Sequence, residues 1–135
     1  MATATLDDIL TGHVPLTSNR RLIESVTTAR ESRFMAVVLA PEVKLSTELA
    51  PPLLEVLDSM PEGGGLDLFV DTLGGASEEA WRVVSMLRER FDRYTAIIPF
   101  AASPGATQVA LGANDLMMGE ASSLSPIEPD RKSVV

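Results

Sequence analysis

The chain has no cysteine, a single histidine (His13) and only two lysines (Lys44 and Lys132), and each shortage removes a kind of chemistry. Without cysteine there is no disulfide, no thiolate nucleophile and no thiolate zinc site. One histidine leaves carboxylates as the remaining metal ligands, and Asp71, Glu120, Glu128 and Asp130 show no ligand spacing, so no metal or other cofactor is expected. Basic residues number 11 against 19 acidic ones, and no basic run exceeds Arg20-Arg21 or Arg131-Lys132. At a net charge of −8, nucleic acid and anionic membrane surfaces are disfavoured partners. No stretch approaches the roughly 18 apolar residues that cross a bilayer. Asp7 and Asp8 stand where a secretory leader carries basic residues. A soluble, cytoplasmic chain with no membrane span is expected.

What is present suits one folded unit, since 135 residues with 45% hydrophobic content can bury a core. Residues 1–16 have mixed polarity and no clear period, which predicts an N-terminal arm, and 17–135 read as a single domain. Thr17 or Ser18 caps a predicted helix through about Arg33, with Leu22, Ile23, Val26 and Ala29 on one face. The apolar run 34–39 has strand length and reads as a strand buried on both faces, hence central in its sheet. Pro51 and Pro52 fit the start of a helix holding Leu53, Leu54, Val56 and Leu57. A strand at 66–71 follows the Gly63-Gly64-Gly65 turn. The next helix has Ser77 as its cap, Glu78 and Glu79 in its first turn and Arg88 and Arg90 in its last, matching the helix dipole. A strand at 95–100, a short helix from about Gly105 to Gly112 and a strand at 116–118 complete the pattern. Such alternation predicts an α/β fold: right-handed crossovers and a mainly parallel sheet with helices on both faces.

In a parallel sheet the strand C-termini share one rim, which gathers the loops at 41–46, 72–77 and 101–105. Gly74-Gly75 opens a helix there, so its amides can face developing negative charge; glycine also simply permits a tight turn. Ser103 stands just past a strand and just before a helix, where nucleophilic hydroxyls are displayed and where serines more often act as caps. A nucleophile needs a base, and His13 belongs to the arm. Lys44 lies in a rim loop and is the candidate activating amine, although most such lysines are solvated surface groups.

Three ordered motifs carry a family resemblance. They are Val70-Asp71-Thr72-Leu73-Gly74-Gly75, Gly112-Ala113-Asn114-Asp115-Leu116-Met117-Met118-Gly119 and Ser123-Leu124-Ser125-Pro126-Ile127-Glu128-Pro129. They resemble the strand with Thr-Pro-Gly-Gly, the Gly-Ala-Asp-Glu-Ile-Val-Met-Gly and the Ser-Leu-Gly-Pro-Ile-Asp-Pro of the serine dehydrogenase proteinase family. Those are Clp protease/crotonase-fold serine peptidases related to signal peptide peptidase A. The resemblance implies that fold, a homo-oligomer acting on a peptide or protein substrate, and oxyanion-hole amides at Gly74 and Gly75. It also implies further helices beyond Val135, so that the domain is C-terminally shortened. Leu73 replaces the family's proline, and ungapped alignment sets Pro104 under the nucleophile with Ser103 one residue early. Either a one-residue insertion restores Ser103 to that role, or the chain is a catalytically inactive peptide-binding or assembly module. A third reading, from the crotonase branch, has the Gly74-Gly75 amides polarise an acyl thioester; no acid or base beside that turn supports it.

Overall fold

The computed structural model describes residues 16–38, 47–72 and 77–127. The expected arm, His13, Lys44, Gly74, Gly75, Glu128 and Lys132 therefore lie outside the described residues. In chain order the elements are α1 (Leu16–Arg30), β1 (Arg33–Val38), a 3-10 turn (Thr47–Leu49), α2 (Ala50–Asp58), β2 (Gly65–Asp71), α3 (Ser77–Arg90), β3 (Arg93–Ile98), β4 (Ala101–Ala102), α4 (Pro104–Leu111), β5 (Asp115–Met118) and β6 (Ser123–Leu124). The fold is α/β with parallel sheets, as expected. A four-stranded sheet runs β1-β2-β3-β5, and β4 pairs with β6 in a small second ladder. Every pairing is parallel.

Sequential strand order has a geometric consequence. Parallel crossovers are right-handed, so successive crossovers that step the same way across the sheet put their helices on the same face. The buried side chains agree: Leu66, Leu68, Val70, Tyr94, Ala96 and Ile98 from one face of the sheet pack with Leu53 and Leu57 of α2, Val84 and Leu87 of α3, and Val109 of α4. An ion pair between Arg90 and Asp58 at 2.9 Å joins α3 to α2. Among the described residues the opposite face meets only the C-terminal end of α1, through Arg30, where helices on both faces were expected.

Three expectations need correction. β1 is not central; among the described residues it is an edge strand, with Ala36 and Val38 exposed. Lateral position follows from chain order and crossover hand, so the first strand of a sequentially wound sheet lies on its flank however apolar it is. The first helix stops at Arg30, not Arg33, because Glu31 takes a left-handed φ of 50° and turns the chain into β1. The third strand ends at Ile98, ahead of Pro99, which has no N–H for the ladder.

Local chemistry explains the tight connections. Gly63 and Gly64 have φ of 75° and 71°, which glycine adopts without penalty. Their amides donate to Arg90 O at 2.8 Å and to Asp92 Oδ2 at 2.7 Å, fixing the turn into β2 against the end of α3. On the covered face, the buried Tyr94 hydroxyl donates to Val109 O at 2.7 Å, tying β3 to α4. Burial pushes its phenol pKa up to about 12. Tyr94→Phe is expected to cost about 1 kcal/mol, measured by urea unfolding. An unfolded tyrosine loses its proton near pH 10. The folded protein keeps it until about 12, so stability falls as pH rises across that window and Tyr94→Phe flattens the fall.

Candidate functional site

The β4–β6 ladder builds the neighbourhood of Ser103. Two residues past β3 the chain pairs with 123–124: Ser123 N donates to Phe100 O at 2.8 Å and Ser125 N to Ala102 O at 3.1 Å. β4 also packs against β2. Ser122 Oγ donates to Ile98 O at 2.7 Å, bracing the same corner. Ser103 then caps α4 from an extended backbone (φ −67°, ψ 167°), with Pro104 in the first turn. Proline suits that position because its missing N–H would lack a helical partner anyway.

Ser103 is half-buried, and its Oγ accepts a hydrogen bond from Ala106 N at 3.4 Å, at the long, weak end for such a bond. The Ser103 carbonyl accepts from Thr107 N at 2.8 Å, which closes the first helical turn. The Ser103 hydroxyl proton has no acceptor among the described residues. One turn on, buried Thr107 shares a 3.3 Å hydroxyl contact with Ser125, locking α4 to the residue just past β6. The serine is thus held by a rigid two-sided frame. Of the expected site residues, Ser103 is the one the structure describes. Thr72, at the end of β2, is buried, and the turn after it lies outside the described residues.

A polar cluster at the opposite rim, formed by Asp67, Arg30, Ser32 and Thr95, was not expected from the sequence. Asp67 Oδ2 accepts from Arg30 Nε and from Ser32 Oγ, each at 2.5 Å. Arg30 Nη2 reaches Thr95 Oγ1 at 3.4 Å. Burial alone would push the Asp67 carboxyl up, but the Arg30 and Ser32 hydrogen bonds outweigh it and hold the group below the usual carboxylate range. Bonding to Asp67 raises Arg30 in turn. The adjoining cavity of about 330 Å³ includes Arg93 and Asp115, themselves an ion pair. Arg30 with Asp67 and Arg93 with Asp115 are matched in pairs, leaving exposed Glu31 as the other charge of the described lining, which marks a structural clamp more than a reaction centre. The usable signal was a carboxylate alternating with apolar neighbours in Leu66-Asp67-Leu68, since such a group must find a donor when buried.

A second hollow of about 330 Å³ lies between α3 and α4, lined by Trp81, Val84, Gln108, Leu111, Gly112 and Ile127. Among the described residues its lining carries no titratable group, so these residues offer binding surface without acid, base or nucleophile. Among the described residues no helix is long and apolar enough to cross a membrane.

No family model matches the chain, and no solved structure does. It is 27% identical over 85 residues to one uncharacterized protein of Methanocaldococcus jannaschii, a match covering 63% of this chain and 29% of that protein. It is 26% identical over 113 residues to another uncharacterized protein of the same organism, covering 83% of this chain and 40% of that protein. The chain thus spans well under half the length of the curated relatives it matches.

Proposed function

We propose that this chain is a serine-peptidase-like hydrolase of the Clp protease/crotonase fold, related to the serine dehydrogenase proteinases. In this reading Ser103 performs acyl transfer on a peptide or protein substrate. The observation that carries it is the Ser103 hydroxyl: half-buried, framed by α4 and the β4–β6 ladder, and with no described acceptor for its proton. Sequential parallel strands with their crossover helices on one face support the same reading, as does the small parallel ladder at the corner.

The chemistry follows from those parts. Ser103 Oγ attacks the scissile carbonyl carbon while its proton passes to a base, for which the Lys44 amine is the candidate. The carbonyl oxygen becomes an oxyanion held by amides at Gly74 and Gly75. Collapse expels the amine, which takes up the proton, and water then releases the acyl group from Ser103.

A fluorophosphonate probe tests this directly. The expected result is labelling of the folded wild type and of Ser125→Ala, with labelling and peptide hydrolysis reduced by at least about 10³-fold in Ser103→Ala. Absence of labelling in well-folded wild type would overturn the reading. A non-catalytic peptide-binding module is the second reading, favoured by the cap bond from Ala106 N and by Pro104, which withholds an amide at the helix start. Its signature is peptide binding that Ser103→Ala leaves unchanged, without labelling.

A further inference from the structure

The face of the main sheet opposite the crossover helices carries three rows that the strand register defines. The middle row is Ala36, Phe69, Ile97 and Met117, aligned across all four strands. It is wholly apolar. Ala36 is exposed, Met117 is 40% exposed, and Phe69 and Ile97 are half-buried. Towards the strand starts lies Phe34, Asp67, Thr95 and Asp115, with Arg30 over Asp67 and Arg93 paired to Asp115. Towards the strand ends lie Val38, 60% exposed, and Asp71. Parallel sheets bury both faces. Here α1 reaches only the first rim, and its residues 20–25 are exposed.

The pattern is self-complementary about one axis. Asp71 is half-buried and has no ion-pair partner among the described residues. Arg30 spends Nε on Asp67 and Nη2 on Thr95, which leaves further guanidinium donors unused. A two-fold axis lying along the middle row sets the strands of two copies antiparallel. Each apolar residue of that row then faces its own counterpart, and Asp71 of one copy comes over the Arg30 rim of the other. Two sheets can stack this way at about 10 Å, as in a sandwich.

We infer that this face is covered by the same face of a second copy of the chain, in an isologous dimer whose axis runs along Ala36, Phe69, Ile97 and Met117. This surface does not depend on Ser103 chemistry.

Ala36 provides a test that a folding defect cannot imitate, because it is exposed and lies on the axis. Sedimentation equilibrium of the full chain should show a dimer. Ala36→Asp and Ala36→Lys, each with unchanged circular dichroism and melting, should each weaken self-association at least tenfold by setting like charges against each other. An equimolar mixture of the two should restore dimers. In addition, the cysteine-free background allows Met117→Cys to be cross-linked to itself by a bismaleimide spanning about 10 Å, with Glu89→Cys on the helical side as the non-reacting control. A monomeric wild type, or a dimer indifferent to both Ala36 variants, overturns the proposal. The first outcome assigns the face to another segment of the chain or to a different protein, and the second moves the dimer contact elsewhere.

Discussion

Arg30→Ala is expected to lower folding stability by about 3 kcal/mol, because it strips the only described cation from a buried carboxylate. Asp67 has 2% of its side chain exposed, so its charge cannot be rehydrated without opening the sheet. Arg30 is 35% exposed, which places the expected loss at the lower end for a broken buried pair. The pH dependence has a definite sign. Asp67 has a depressed folded pKa, so its contribution is present above the unfolded value near 4 and is lost as pH falls through the folded one. In Arg30→Ala burial acts without the guanidinium to oppose it and the carboxyl rises, so the variant no longer loses this contribution in acid and its deficit against wild type, largest near neutrality, narrows as pH falls. Urea midpoints between about pH 3 and 7 would show both effects. Replacing the pair together, Arg30→Met with Asp67→Leu, should recover most of the loss. A single variant as stable as wild type would show that the clamp contributes nothing.

Gly112→Ala is expected to cost about 2–3 kcal/mol, and for a different reason. The backbone there is ordinary, with φ −76°. An added Cβ, however, would stand 2.5 Å and 2.7 Å from the two methyls of Val84 and 2.8 Å from the Tyr94 hydroxyl. Val84 and Tyr94 are 3% and 1% exposed, so neither can swing aside. Pushing Tyr94 away would also stretch its bond to Val109 O. Val84→Ala frees the space, and the double variant should be clearly less unstable than the sum of the singles. Strict additivity by urea unfolding would show that α3 and α4 separate without resistance.

The helices were the most legible parts of the chain. α3 runs from Ser77 to Arg90, where early acids and late arginines mark its bounds; Ser77, expected as the cap, is its first residue. β2 was readable as an apolar run after three glycines, and Ser103 as the residue that starts α4. Less legible was everything that depends on distant partners. The Asp67 clamp joins positions 37 residues apart, and no local pattern reports such a pairing. The flank position of β1 comes from winding order, which hydrophobicity does not encode. The small β4–β6 ladder was missed because two-residue strands carry no period to detect. It is nevertheless what frames Ser103.

The order β1-β2-β3-β5 means that each main strand lies beside its predecessor, like thread wound on a spool. A chain wound this way can be built one turn at a time, each turn finding its template in the turn just laid down. Among the described residues the last turn, β5, ends the main sheet with Leu116, Met117 and Met118 all exposed. Another strand and helix could be laid beyond it without unpicking any earlier pairing, so lengthening by whole turns leaves the corner around Ser103 intact.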